Sequence, residues 1–224
     1  HLATTRGVSA VTPWNQFEWE VAVIESEQAN AFCLPGGKMA VYTGILPIAL
    51  GEATKTVPFM MEAQKVYRFT INWGISTDSL DREGEITGRS DLRPDVEAVR
   101  AALPAFVGEI DQIPPQFSAI KVDGQRAYDL AREGAEFELA SRRVTIHDAV
   151  VSDAPDAHHV ELTIRTGKGV YVRSLARDLA AVLGAEGHVS ALRRERVGPF
   201  STENAVSLDF LTDLVHRDAA SEGL

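Results

Sequence analysis

Between Arg165 and Gly184 the chain reads RTGKGVYVRSLARDLAAVLG, which brings Lys168, Tyr171, Arg173 and Arg177 close together in sequence. Three cations and an aromatic ring at the start of a helix suit an anionic, stackable ligand, because the free backbone N–H groups there add to the side-chain charge. A nucleic-acid backbone is such a ligand. The same pattern also describes an ordinary strand-turn-helix with a solvated basic edge, and the residues alone leave both readings open. Other chemistries lack their residues. There is no HExxH, no pair of histidines at metal-ligand spacing with acidic company, and Gly167-Lys168-Gly169 lacks the spacing of a phosphate-binding or dinucleotide loop. There is no GxSxG, and the single Cys33 has no metal-ligand companions. His158-His159 reads as the polar start of a strand.

The elements around the basic turn follow from periodicity. Val160, Leu162 and Ile164 alternate as in a half-buried strand, and Val172, Leu175, Ala176, Leu179 and Leu183 fall on one helical face that Gly184 closes. Tyr67, Phe69, Ile71 and Trp73 form a second alternating strand, followed by a polar turn or loop at residues 77–88. Asp95 caps a helix carrying Val96, Val99 and Leu103, which Pro104 ends or kinks. Pro114-Pro115 opens an irregular segment through Gly124, and a short helix from Arg126 ends at Gly134. Val144–Val151 and Val189–Val197 are further strands, and Ser207 caps a last helix with Leu208, Leu211, Leu214 and Val215. Before Gly44 the pattern is hairpin-like: Trp19, Val21 and Val23 alternate, and Ala31–Leu34 and Met39–Tyr42 flank Pro35-Gly36-Gly37.

Composition bounds the class. A chain of 224 residues, 45% hydrophobic and 24% charged, can bury a sizeable core. No apolar run is long enough to span a bilayer, no secretory signal pattern opens the chain, and a lone cysteine fits a reducing cytoplasm. The net charge of −10 hides its distribution. Residues 165–198 hold seven Lys/Arg and three acids, so this segment carries 7 − 3 = +4 and the remainder −10 − 4 = −14. A basic face on an acidic body suits a protein that grips one RNA and is repelled by others; a merely solvated charge run is the alternative.

Five ordered blocks carry a family resemblance: GILPIALGEATK (44–55), KVYRFTINWGISTDSLDREGEI (65–86), PPQFSAIKVDGQRAYDLAREG (114–134), TGKGVYVRSLARDLAAVLG (166–184) and ALRRERVGPF (191–200). In order and spacing they resemble the TruB-type tRNA pseudouridine synthases. The resemblance implies an α+β pseudouridine-synthase catalytic domain, a mixed and largely antiparallel sheet flanked by helices. It implies isomerisation of a uridine in the tRNA T loop to pseudouridine, without cofactor or metal, by a cytoplasmic monomer. By position, it makes Tyr67 the residue stacked on the flipped base, Arg173 the partner of a catalytic carboxylate, and Leu192 the apolar wall against the base. It makes residues 114–135 the loop that grips the T stem, with Lys121 and Arg126 on phosphates, beside Lys168, Tyr171, Arg177 and Arg193 on the basic face. The residues themselves also allow Tyr67 and Leu192 to be plain core, and Arg173 to cap a helix or pair with Asp178 or Glu195.

The resemblance fails at the nucleophile. The family's block resembling GTLDPLATGVLP falls on residues 36–47, and its Asp position is Met39. A thioether cannot do a carboxylate's work. Glu25, Glu27 and Glu52 are the nearest acids and none matches the motif. Instead, residues 19–46 resemble the segment before HExxH in membrane-associated zinc metallopeptidases of the zincin class, joined to the synthase part at a TGIL-like tetrapeptide near 43–46. The expected organisation is therefore a foreign hairpin-like segment, 1–43, followed by a catalytic domain, 44–224, without its first strands and without a small C-terminal RNA-binding domain. Activity is expected to be absent or impaired, with a non-catalytic tRNA-binding or RNA-folding role as the alternative.

Overall fold

The computed structural model describes residues 21–26, 33–34, 38–39, 44–49, 51–122 and 124–207. The helix expected from Leu208 onward, and Trp19, lie outside them. The chain forms two compact units, His1–Gln64 with Arg194–Leu224, and Lys65–Arg193.

In the first unit, β1 (Val21–Ser26) is followed by β2 (Cys33–Leu34), β3 (Lys38–Met39), β4 (Gly44–Ala49) and α1 (Val57–Glu62). Within the expected hairpin, β2 pairs antiparallel with β3, Cys33 lying opposite Met39. The longer strand does not pair with it. β1 instead runs antiparallel to β4, from Val21 opposite Ala49 to Ser26 opposite Gly44. The alternation in β1 marks a strand but cannot name its partner, which main-chain bonds between distant segments decide.

The second unit contains β5 (Lys65–Trp73), β6 (Ile75–Thr77), β7 (Ile86–Arg89), α2 (Val96–Ala102), β8 (Gly108–Gln112), β9 (Lys121–Val122), β10 (Gln125–Arg126), α3 (Ala127–Arg132), β11 (Arg142–Asp156), β12 (His159–Thr166) and α4 (Val172–Val182). β13 (Gly187–Val197) follows; its residues from Arg194 belong to the first unit, with β14 (Phe200–Ser201) and β15 (Val206–Ser207). Within the second unit the strand order is β13-β5-β12-β11-β8, and the β5–β12, β12–β11 and β11–β8 ladders are antiparallel. Phe69, Ile71 and Trp73 of β5 face Val160, Leu162 and Ile164 of β12 in one core with Val99, Leu103 and the apolar stripe of α4. The period-2 and helical patterns both resolve onto this core.

Local signals terminate the helices as their chemistry requires. Asp95 Oδ1 accepts the Ala98 N–H at 2.7 Å, capping α2. At the end of α4, Gly184 sits at φ +66°, and the N–H groups of Ala185 and Gly184 reach the carbonyls of Ala180 and Ala181, at 2.9 and 3.1 Å. Together these close the helix in the paired-bond arrangement that a left-handed glycine permits. In the first unit the Arg194 guanidinium donates to the Ile45 carbonyl at 2.9 and 3.1 Å, and Gly44, at φ +130°, lies against the Arg194 backbone where a Cβ would come within 2.3 Å of its oxygen.

Leu162 is fully buried at the centre of the second unit's sheet. Leu162→Ala is expected to cost about 2–5 kcal/mol, read as a lower urea midpoint at unchanged slope.

Candidate active site

Helix α4 begins where β12 runs out. After Thr166 the chain turns through Gly167, an exposed Lys168 and Gly169 at φ +81°, then enters the helix at Tyr171. Tyr171 makes no side-chain cap. Its backbone is instead held by Gln112 at the end of β8, whose Oε1 accepts the Tyr171 N–H at 2.8 Å while Nε2 donates to its carbonyl at 3.1 Å. Burial raises the pKa of the Tyr171 hydroxyl, against the opposing pull of Arg142 and Arg173 and contact with Ser118.

Arg173 extends into a site made almost entirely of acceptors. Nη1 donates to Asp81 Oδ2 at 3.0 Å and to the Ser79 carbonyl at 2.9 Å, and Nη2 donates to the Phe117 carbonyl at 2.8 Å. Its side chain is 14% exposed and that of Asp81 8%. The other carboxylate oxygen of Asp81 accepts the Ser79 hydroxyl at 2.6 Å and the Glu83 N–H at 3.1 Å. Two charges shielded from water are thus paired and hydrogen-bonded on both sides, the condition under which burial is tolerable. Arg173 does pair with a carboxylate, and that carboxylate is Asp81. Asp178, one of the alternatives, pairs with Arg177.

The loop expected at 77–88 is a built structure joining β6 to β7. Asp78 Oδ1 accepts the N–H groups of Ser79 and Glu85 at 2.7 and 2.9 Å, and the Thr77 hydroxyl donates to the Asp81 carbonyl at 2.6 Å. Gly84 packs so closely that a Cβ would lie 2.3 Å from both Asp78 Oδ1 and Ser79 Oγ. Leu80, at φ +63°, is the one non-glycine residue with positive φ among the described residues. Its strained backbone lets the loop run parallel to β13: Val189 N–H donates to the Leu80 carbonyl at 3.0 Å, and Arg82 N–H to the Val189 carbonyl at 3.2 Å. Asp81 is held against the strand that carries Leu192.

Tyr67 and Leu192 are half-buried on the neighbouring strands β5 and β13, and both pack against the core. Lys121 is exposed on β9, Arg126 is half-buried at the start of α3, and Arg193 is half-buried on β13. Arg177 is half-buried and donates to Asp178 Oδ1 at 2.8 Å and to the Ile113 carbonyl at 3.0 Å. Met39 ends β3 in the other unit. Of the acids near it in sequence, Glu52 pairs with Lys55, Glu25 is described only through its pairing in β1, and Glu27 lies outside the described residues. Periodicity did not identify Asp81, Gln112 or Arg132. Asp81 is one acid among several in a polar loop, Gln112 is a neutral residue on a strand end, and Arg132 stands out only because its guanidinium and that of Arg126 lie 5.5 and 5.9 Å from the Tyr128 ring. Among the described residues no cluster of three His, Cys, Asp or Glu could hold a metal ion, and no helix is long and apolar enough to cross a membrane.

Residues 40–172 match the family model of the TruB family pseudouridylate synthase N-terminal domain, and residues 173–223 that of the tRNA pseudouridylate synthase B C-terminal domain. Residues 4–57 match the model of peptidase family M48, so residues 40–57 fall under two models. The chain is 65% identical over 182 residues to tRNA pseudouridine synthase B of Caulobacter vibrioides, covering 81% of this chain and 59% of that protein. To the protein of the same name from Rhodospirillum rubrum it is 50% identical over 184 residues, with the same coverages. It thus spans less than two thirds of these relatives' length. Among solved structures, a chain of a Cbf5-Nop10-Gar1 complex superposes with a TM-score of 0.59 at 23% identity, covering 87% of this chain and 45% of that one. A chain of an H/ACA RNP bound to a substrate RNA containing 2'-deoxyuridine gives 0.58 at 21%, covering 86% and 52%. These likenesses establish a shared fold.

Asp81→Ala leaves the Arg173 charge buried without its carboxylate and is expected to cost about 3–5 kcal/mol in urea unfolding. Adding Arg173→Met is expected to recover a large part of the loss; strictly additive losses in the double variant would show that the pair is not coupled.

Proposed function

The chain belongs to the TruB family of pseudouridylate synthases, and from that membership we propose that it is a tRNA-directed member which binds the T stem-loop with little or no turnover. The observation that carries the reading is the buried Arg173, whose guanidinium is committed to Asp81 at 3.0 Å. Arg173 is the residue that the resemblance assigns as partner of the catalytic carboxylate. In the isomerisation the N1–C1′ bond breaks, a C5–C1′ bond forms, C5 loses a proton and N1 gains one. The target base must first leave the stack, since its C5 edge is closed off in a folded loop. In this reading Tyr67 stacks on the extruded base, Leu192 walls it, and Lys121, Arg126, Lys168 and Arg193 meet phosphates, with Tyr171 beside them.

The reaction also needs a carboxylate at the sugar. Met39 stands where the resemblance puts it. Asp81 does not replace it, because both its oxygens are engaged and its side chain is 8% exposed. Its role is to orient Arg173. Residues 1–43 are then a foreign replacement of the first part of the catalytic domain, and RNA binding outlasts chemistry, as in a tRNA-holding protein of the cytoplasm.

With a T stem-loop transcript, the unaltered chain is expected to bind with an affinity that falls steeply with salt, and to give pseudouridine at background yield. A normal yield would overturn the impairment, and undetectable binding at low salt the whole reading. Lys121→Ala is expected to weaken binding and reduce the slope of log K against log salt by about 0.9, the share of one duplex phosphate contact. Met39→Asp alone is expected to leave turnover at background, because the surrounding block is also replaced.

A further inference from the structure

After Gln112 the chain passes through Ile113-Pro114-Pro115-Gln116-Phe117 into an arm, residues 118–138, that carries the β9–β10 hairpin and α3. Pro114 and Pro115 are buried and have no N–H to donate, so this root cannot extend the sheet ladder that β8 makes with β11. It is held through its acceptors. The Ile113 carbonyl takes the Ser174 hydroxyl at 2.8 Å and Arg177 Nη2 at 3.0 Å, and the Phe117 carbonyl takes Arg173 Nη2 at 2.8 Å. The Gln112 amide, 1% exposed, makes its two bonds to the backbone of Tyr171. All these partners come from Tyr171 and the first two turns of α4.

We propose that the start of α4 is a clamp on the root of the arm, with Gln112, Ser174 and Arg177 as positioning residues that set where the arm's Lys121 and Arg126 meet RNA. The clamp rests on the tRNA-binding reading for its purpose and on the bonds above for its existence. Releasing it strands the buried Gln112 amide without its partners and takes the protein donors from the Ile113 and Phe117 carbonyls, so the closed arrangement is favoured. Arg173 serves both sides, one nitrogen on the Asp81 loop and the other on the arm root. Arg177 acts through Ile113, not on a phosphate.

Two variants test this without altering charge: Gln112→Leu, which keeps volume and removes the amide, and Ser174→Ala. Amide hydrogen exchange of the full chain, measured without RNA, is expected to quicken about tenfold across residues 118–138 while β5 and β12 keep their protection. The T stem-loop transcript is expected to bind about tenfold more weakly at an unchanged salt slope. Arg177→Gln is expected to do the same; a slope lowered by about 0.9 would make Arg177 a phosphate contact and remove it from the clamp. Unchanged arm exchange in both neutral variants, or an increase spread equally over β5 and β12, overturns the proposal. Because exchange is read on the free chain, failure of the unaltered chain to bind the transcript counts against the tRNA reading, and the exchange result still decides the clamp.

Discussion

The second unit depends on keeping one buried ion pair satisfied. A guanidinium and a carboxylate shielded from water are costly unless nearly every donor and acceptor finds a partner. For Arg173 and Asp81 those partners are gathered from a hairpin loop, the first turn of α4 and the root of an arm. Much of the irregular backbone nearby serves this purpose. Leu80 accepts a left-handed conformation, Gly84 leaves room beside Asp78 and Ser79, and Thr77 fastens the Asp81 carbonyl. These local strains persist because the surrounding bonds over-determine the loop.

What could be read from the sequence divides along the range of the forces involved. β5, β12, α2 and α4 follow from short-period patterns and local caps, since the burial of Phe69, Leu162 or Leu175 and the Asp95 cap are properties of neighbouring residues. The partner of Arg173 was not legible, because it lies 92 residues away and nothing in DSLDREG distinguishes Asp81 from Asp78. Asp78 is spent on its own loop's N–H groups, whereas Asp81 faces the arginine. Gln112 was illegible for the same reason: its two bonds reach 59 residues along the chain. The family resemblance pointed to Arg173 but not to Asp81.

The first unit illustrates how little a sheet demands of its strands. β1 lies in the stretch matched by the M48 model, and β4 lies in the stretch matched by both models, yet six consecutive residue pairs join them. Main-chain hydrogen bonding needs only extended backbone, and a strand of alternating apolar residues such as VAVIES supplies it. Side chains are less forgiving. Pairing can seat in one sheet strands from stretches that match different family models, whereas a side chain's chemistry depends on which residue stands at its position.

The same distinction changes how the charge of the basic segment is understood. Of the seven cations between Arg165 and Gly198, Arg173, Arg177 and Arg194 donate to carbonyls or carboxylates of the chain itself. Their charge still contributes to the long-range field, but their hydrogen-bonding capacity is largely spent on the fold. The +4 of that segment therefore overstates how many phosphates it can grip. The arm has the opposite character: Lys121 is exposed, and Arg126 and Arg132 lie near the Tyr128 ring. A cation beside an aromatic ring combines charge for a phosphate with a flat surface on which a base can stack. In the proposed tRNA-binding reading, attraction belongs to the basic segment and grip to the arm, joined through Arg173 and the residues that hold the arm's root.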